Sequence, residues 1–122
     1  MIVLLDTNII IDYMNGYAPA KLTIESYSEI AISVITYMEV LVGTNDYNNQ
    51  DTKDFLNTFI LYELTPHIVE LTIAIKKTRT PKIKLPDAII LATSQIYNIP
   101  LVTRNTKDFT PDDKNIIMPY SI

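Results

Sequence analysis

Four acidic residues occupy comparable places in the sequence, each close to an apolar run or in the opening turns of a helical pattern. They are Asp6, Glu39, Asp87 and Asp108. Two carboxylates about 5 Å apart repel each other by roughly 3 kcal/mol at an effective dielectric near 20. A cluster of them needs a bound cation or raised pKa values. The chemistry that such a cluster could support is metal-assisted hydrolysis, in which a divalent ion activates a water molecule and neutralises charge on a phosphodiester.

The scarcity of Cys and His in the sequence limits which metal ions the protein could bind. The sequence has no Cys, which excludes disulfides, thiolate zinc sites and a Cys nucleophile. His67 is the single histidine, so a His-rich metal site is excluded and a Ser-His-Asp triad would have to be built on that residue alone. Ligation by oxygen alone favours Mg²⁺ or Mn²⁺, and Ca²⁺ is less favoured because no twelve-residue EF-hand loop is present.

Each acid also has a purely structural interpretation. Asp6 can cap a helix, and Glu39 completes the pattern Thr36-Tyr37-Met38-Glu39, in which a carboxylate bonds back to the cap amide. Asp87 lies in a first helical turn, where the helix dipole favours negative charge, and Asp108 can cap a turn. A fifth acid, Asp12, lies six residues beyond Asp6 on a different helix face, and we expect it to be solvated.

The elements that must position these acids alternate along the chain. Strands are predicted over Ile2 to Leu5, Ile30 to Val34, Leu61 to Leu64, Ile99 to Val102 and Asn115 to Met118. Helices are predicted from a cap at Thr7 or Asn8 to a stop at Gly16, over Ala18 to Glu29, Thr36 to Val42 and Asp51 to Ile60, from Pro66 to before Pro81, and from Pro86 through Ile96. The loop between the third and fourth helices covers Thr44 to Gln50. This alternation predicts an α/β three-layer sandwich with a central, mostly parallel sheet flanked by helices.

The length of 122 residues fits one domain, 1–122. In such a domain right-handed crossovers place the carboxyl ends of parallel strands at one edge of the sheet, where the four acids can converge. The first apolar run is too short, and lacks the basic leader, for a signal peptide, so a cytoplasmic protein without membrane association is expected.

Charge counts against broad nucleic-acid binding, because the net charge is -4 and the pI is near 4.8. Five of the ten basic residues nevertheless crowd into the segment before Asp87: Lys76, Lys77, Arg79, Lys82 and Lys84. They could form a local phosphate-facing rim, or a solvated helix end at which the dipole favours cations. Both interpretations remain open.

Several motifs in order along nearly the whole chain resemble the PIN domain, and VapC-type toxins of toxin-antitoxin pairs in particular. They are Leu5-Asp6-Thr7-Asn8, Ile32-Ser33 followed by Thr36 to Glu39, Pro86-Asp87-Ala88 with Ala92-Thr93, and Val102-Thr103-Arg104-Asn105 with Asp108-Phe109. The resemblance implies an endoribonuclease in which Asp6, Glu39, Asp87 and Asp108 bind one or two Mg²⁺ or Mn²⁺ ions. Asp6 and Asp87 are the expected direct ligands, while Thr7, Asn8, Thr103 and Asn105 would support the pocket.

The resemblance also implies partners. Arg104 could contact an RNA phosphate or pair with a neighbouring acid. An apolar surplus in the first helices suggests a surface for a cognate antitoxin or a homodimer, with a wholly internal core as the alternative. Its members are Ile9, Ile10, Ile11, Tyr13, Met14, Tyr17, Tyr37 and Met38.

Other functional classes stay open at this point. A housekeeping RNA-processing PIN nuclease would use the same acids, and a catalytically silent PIN-like module would bind only a metal or a partner. A receiver-like domain would need a lysine where Val102-Thr103-Arg104 stands, and a haloacid-type phosphatase would need Asp in place of Asn8.

Overall fold

The computed structural model of the protein describes residues 1–45, 49–109, 113 and 115–121. Within those residues, five strands form one sheet whose neighbouring strands all pair in parallel, and six helices flank it. The strands are β1 (Ile2–Leu5), β2 (Glu29–Ser33), β3 (Ile60–Tyr62), β4 (Leu101–Val102) and β5 (Ile116–Ile117). The helices are α1 (Thr7–Met14), α2 (Ala18–Glu25), α3 (Val34–Val42), α4 (Asn49–Leu56), α5 (Pro66–Thr78) and α6 (Leu85–Tyr97). The predicted α/β sandwich is confirmed.

The order of strands fixes where a ligand can enter. Across the sheet they run β3-β2-β1-β4-β5, so the chain moves outward from β1 through β2 to β3 and then returns to the other side of β1. That return makes the carboxyl edge between β1 and β4 the topological switch point, where crossovers leave in opposite directions and open a crevice. Leu5 is paired with Val102 in the register of these two strands, which sets Asp6 beside Thr103.

The core lies on both faces of β1, because successive side chains of a strand point to opposite faces. Val3 and Leu5 pack with Ile9 and Ile10 of α1 on one face. Leu4 packs with residues of α6 on the other, among them Leu91. Each fully buried Leu or Ile stabilises the fold by about 1.5–3 kcal/mol. The two helix layers are therefore held to the sheet by its central strand, whose end carries Asp6.

Local hydrogen bonds explain where the predicted element ends were wrong. Asp6, and not Thr7 or Asn8, caps α1, because its side chain accepts from the Thr7 amide. Ser33 Oγ accepts from the Ile35 amide and starts α3 two residues before the predicted Thr36. At the end of α2, Ser26 Oγ donates to the Thr23 carbonyl at 2.6 Å, so the helix ends at Glu25 rather than Glu29.

Other boundaries moved by a few residues. Thr58 closes α4, which ends at Leu56 instead of Ile60, by donating to the Phe55 carbonyl. A left-handed Asn98 (φ 53°) ends α6, and β4 begins only at Leu101. Gly16 (φ +82°) follows α1 as predicted, in a conformation that glycine adopts without steric cost. The predicted loop over Thr44 to Gln50 is wrong at its end, because α4 begins at Asn49, and residues 46–48 lie outside the described residues.

No helix in the described part of the chain is both long and apolar enough to cross a membrane.

Candidate active site

Asp6 lies at the switch point and is held there by three donors. The Thr7 amide donates to Oδ1 at 2.7 Å, Thr103 Oγ1 donates to Oδ2 at 2.7 Å, and Asn8 Nδ2 donates to Oδ2 at 3.3 Å. The side chain is buried, with 3% of the residue exposed. Burial raises the pKa of Asp6; the hydrogen bonds from Thr103 and Thr7 oppose this rise, and Glu39 and Asp108 add to it.

Glu39 reaches the same place from α3. Thr7 Oγ1 donates to Glu39 Oε1 at 2.8 Å, and the hydroxyl oxygens of Thr7 and Thr36 lie 3.0 Å apart. Thr36 and Glu39 lie three residues apart on one helix, so they share a face. The capping-box interpretation of Glu39 is wrong, because Ser33 caps α3 and the Glu39 carboxylate is engaged by Thr7 instead.

Asp87 and Asp108 meet on the other side of the site. Asp87 stands in the first turn of α6, after Pro86, as predicted. Burial, a hydrogen bond with the Asp108 carboxyl group and the nearby charges of Asp6, Asp108 and Glu39 together raise the pKa of Asp87 to about 7. Crowded carboxyl groups without a bound cation hold their protons more tightly, because the neighbouring negative charges disfavour ionisation.

A turn after β4 presents Asp108. Asn105 Oδ1 accepts from the amides of Lys107 and Asp108, and Asn105 Nδ2 donates to Asp108 Oδ2 at 2.9 Å. The Asp108 carbonyl also accepts from Arg79 Nη2 at 2.7 Å. Asn105 was singled out from the sequence, whereas Arg79 was noticed only as part of a basic run.

The structure therefore brings all four predicted acids into mutual electrostatic range. In the described part of the chain none of them forms an ion pair with Lys, Arg or His. Nor is any group of three or more His, Cys, Asp or Glu among the described residues arranged so that it could hold a metal ion as it stands. The site is thus an acidic pocket whose four carboxylates have no ion-pair partner among the described residues, although Arg79 and Arg104 lie within electrostatic range of Asp108 and Asp6.

Asp12 contradicts the expectation that it is solvated. Only 6% of the residue is exposed, and its carboxylate accepts from Nε and Nη2 of Arg104 and from the Tyr120 hydroxyl. Burial disfavours ionisation of Asp12, but the hydrogen bonds from Arg104 and Tyr120 outweigh it and lower the pKa. Sequence spacing could not reveal this contact, because 92 residues separate Asp12 and Arg104 and only the pairing of β1 with β4 joins them.

Two more functional candidates escaped the sequence analysis. Thr36 is fully buried beside Thr7, and its only sequence signal is its position three residues before Glu39. Arg79 binds both carboxylate oxygens of Asp113, at 2.9 and 2.7 Å. Lys76 Nζ donates to the Ile83 carbonyl. Part of the basic run is therefore engaged in holding the chain, as the helix-end interpretation requires.

The apolar surplus of the first helices divides into two parts. Ile9 and Ile10 belong to the core, so the expectation that they form a surface is wrong. Ile11, Met14 and Met38 are between 41% and 53% exposed. Ile11 and Met14 line a hollow between α1 and the end of α3.

The fold and the acidic pocket at its switch point define the class of the protein. The chain belongs to the PIN domain family, whose pattern it matches over residues 3–110.

Particular relatives are similar over most of the chain. One is a Ribonuclease VapC of Rickettsia bellii (strain RML369-C), 30% identical over 117 residues, or 87% of each chain. A toxin-antitoxin complex from Klebsiella pneumoniae contains a chain that is 43% identical, with a TM-score of 0.90 and coverage of 98% of this chain and 99% of that one. VapBC2 from Rickettsia felis, bound to a DNA fragment from its promoter, is 26% identical, with a TM-score of 0.71 and coverage of 96% of both chains.

Proposed function

We propose that this protein is a Mg²⁺- or Mn²⁺-dependent endoribonuclease of the VapC type and acts in the cytoplasm as the toxin of a toxin-antitoxin pair. The observation that carries the proposal is the acidic pocket at the switch point of a PIN domain, in which no carboxylate forms an ion pair with a cation among the described residues. Its residues are Asp6, Glu39, Asp87 and Asp108. The similarity to a Ribonuclease VapC and to a chain of a toxin-antitoxin complex supports the substrate class and the biological role.

The donor set fits a hard divalent ion. Mg²⁺ binds through one or two carboxylates, keeps several waters and takes further ligands from substrate phosphates, so it needs no closed protein cage. The raised pKa of Asp87 indicates that negative charge lacks compensation at this position. Asp6 and Asp87 are the proposed direct ligands, since they approach from a strand end and from a helix start. Binding at Asp87 would release its proton near neutral pH.

The residues of the chain divide the remaining work. A divalent ion, when bound, supplies an activated water and offsets charge that develops on the phosphate. Thr103, Asn8 and the Thr7 amide fix the rotamer of Asp6. The Thr7 hydroxyl orients Glu39, and Asn105 orients Asp108. In this proposal Glu39 and Asp108 accept hydrogen bonds from water at the scissile bond and hold it in line for attack.

The experiment is an RNA cleavage assay on purified protein with a pool of structured and single-stranded RNAs, in Mg²⁺, Mn²⁺ or EDTA. The variant Asp6→Asn keeps the size of the side chain and removes its charge, and Asp51→Asn on exposed α4 is the matched control. Cleavage that requires both the metal and Asp6 is expected. Cleavage that persists in EDTA or in Asp6→Asn would overturn the proposed mechanism, and growth arrest on expression tests the toxin role separately.

We also propose an antitoxin site and a homodimer site on different faces. The hollow lined by Ile11, Met14 and Val40 would take an apolar antitoxin segment. On the other side, Leu64, Ile73 and Leu85 are 47%, 44% and 55% exposed around an apolar hollow between α5 and α6. Contiguous exposed apolar side chains of this kind mark interaction surfaces.

Two matched substitutions separate these surfaces. Ile11→Glu should prevent co-purification with the product of the neighbouring antitoxin gene and leave the oligomeric state unchanged. Ile73→Glu should convert a dimer to a monomer in light scattering and leave antitoxin binding intact. If both variants retained both interactions, the assignment of the two faces would be wrong.

A further inference from the structure

A cavity of about 310 Å³ lies beside the acidic pocket and shares two walls with it. Its lining residues are Asn8, Arg104, Asn105, Thr106, Lys107 and Ser121. Asn8 donates to Asp6, and Asn105 donates to Asp108. The cavity therefore begins one side chain away from the carboxylates that form the candidate active site.

The lining of this cavity differs in charge from the pocket next to it. Among the described residues, it is lined by two cationic side chains, Arg104 and Lys107, and by no acidic one. The other described lining side chains are amides and hydroxyls, and none of them is an aromatic ring on which a base could stack. In a chain of net charge -4, such a concentration of hydrogen-bond donors suits an anion.

Arg104 is oriented by its partners so that part of its guanidinium remains available. Asp12 accepts from Nε and from Nη2 at 3.0 Å, which leaves Nη1 without an acceptor among the described residues. A guanidinium has five N–H donors, so three remain for a ligand. The Arg104 side chain is 33% exposed, while that of Asp12 is 8% exposed.

Asp12 and Tyr120 act through Arg104. The Tyr120 hydroxyl donates to Asp12 Oδ2 at 2.8 Å, and the same oxygen accepts from Arg104 Nε. Because the Asp12 carboxylate offsets the charge of Arg104, Arg104 contributes directed hydrogen-bond donors to the cavity rather than net charge. Lys107 forms no ion pair with a described residue and supplies the net positive charge.

We propose that this cavity binds a backbone phosphate of the RNA strand next to the scissile phosphate, through Arg104 and Lys107, with Asp12 and Tyr120 as positioning residues. The inference rests on the proposed nuclease function and names a substrate subsite of the same site. A second phosphate site is needed because the four carboxylates repel the rest of a polyanionic strand even when a metal holds one phosphate. A neighbouring phosphate site offsets that repulsion and fixes the direction of the strand.

Binding of a fluorescein-labelled single-stranded oligoribonucleotide tests the subsite, measured in an Asp87→Asn background so that the strand is not cut. Lys107→Ala should raise Kd about fivefold and reduce the salt slope by about 0.7, as expected for loss of one phosphate contact on a single strand. Arg104→Lys, which keeps the charge but loses the planar fork, should raise Kd about tenfold. Lys21→Ala on α2 removes one positive charge elsewhere and should change Kd less than twofold.

The position of the phosphate is tested with uncharged methylphosphonate linkages placed one at a time in an oligoribonucleotide that the wild-type protein cleaves. One linkage beside the cut should weaken binding about fivefold in the Asp87→Asn background and have little further effect once Lys107→Ala is added to it. Tyr120→Phe, which removes only the hydroxyl donor, should raise KM two- to threefold and leave kcat unchanged.

The outcomes distinguish this inference from the function on which it rests. Cleavage by the wild type, together with equal Kd values for Lys107→Ala, Arg104→Lys and Lys21→Ala, would overturn the subsite and leave the nuclease intact. If the wild type failed to cleave RNA while Lys107→Ala still weakened binding, the site would bind phosphate but its assignment beside a scissile bond would be wrong.

Discussion

Asp12 and Asp87 are both at least partly removed from solvent in the same small domain, but their surroundings shift their pKa values in opposite directions. Asp12 is paired with Arg104, and its hydrogen bonds from Arg104 and Tyr120 lower its pKa against the effect of burial. Asp87 has acidic neighbours and no described cation, and burial together with those neighbours raises its pKa to about 7. A paired carboxylate stabilises the fold, whereas an unpaired one among other acids has an unfavourable interaction that a proton or an external cation relieves.

The largest expected effect is on catalysis. Asp87→Asn removes a proposed metal ligand and should reduce RNA cleavage about 10³-fold, or roughly 4 kcal/mol of transition-state stabilisation. Single-turnover rates at saturating Mn²⁺ measure the loss. Asp54→Asn, on the exposed surface of α4, should retain the wild-type rate, and a comparable loss there would show that the effect is not specific to the pocket.

The contrast between the two acids predicts opposite signs of stability change. Asp12→Asn leaves Arg104 without its carboxylate and should lower the free energy of unfolding by about 3 kcal/mol, the lower end of the range for broken buried pairs, since Arg104 is partly exposed. Asp87→Asn relieves repulsion and should leave the metal-free protein equally or more stable. Urea unfolding in EDTA at neutral pH measures both changes. Equal destabilisation by the two substitutions would contradict the predicted difference between Asp12 and Asp87.

A smaller effect is expected at Thr36, which supports Glu39 through Thr7. Thr36→Val keeps the volume and removes the hydroxyl, and cleavage should fall about tenfold, as for other groups that orient metal ligands. Thr36→Ser retains the hydroxyl and is the matched control. The Mn²⁺ concentration at half-maximal activity should rise for the Val variant alone; if the two variants behave alike, the hydroxyl has no positioning role.

The smallest effect is the pH dependence of the metal-free protein. Asp87 binds a proton more tightly in the folded state, because its pKa is about 7 there against 3.8 for an unperturbed aspartate. Its contribution to stability is fully present below pH 4 and is lost as pH rises through 7. After screening by solvent at this half-buried group, the loss should be about 1 kcal/mol. Thermal unfolding in EDTA at pH 5 and pH 8 should show it, and the difference should shrink in Asp87→Asn.

Much of this architecture could be predicted from the sequence, because its signals are local. The apolar run before Asp6 and the helical turn that holds Asp87 follow from neighbouring residues, and a parallel sheet then places both at one edge. The helix N-caps were harder to predict, since Thr7 lies next to Asp6 and Thr36 lies three residues after Ser33, and all four residue types can cap a helix. Only the folded geometry decides which oxygen meets a free amide.

The individual side-chain partners of residues in distant segments could not be predicted. The pairing of Asp12 with Arg104 depends on the register of β1 against β4, which brings together residues 92 positions apart. Arg79 reaches the Asp108 carbonyl across 29 positions. Pairing of Arg104 with an acid was one of the two sequence interpretations and is confirmed, but the charge of an arginine does not reveal which acid becomes its partner in the fold.

The most direct test of the central claim is a crystal structure of the protein soaked in Mn²⁺, with anomalous diffraction and a parallel crystal of Asp87→Asn. We expect an anomalous peak among Asp6, Glu39, Asp87 and Asp108 in the wild type, and a weakened or absent peak in the variant. An empty pocket at saturating Mn²⁺, or a peak that persists unchanged without the Asp87 carboxylate, would contradict it.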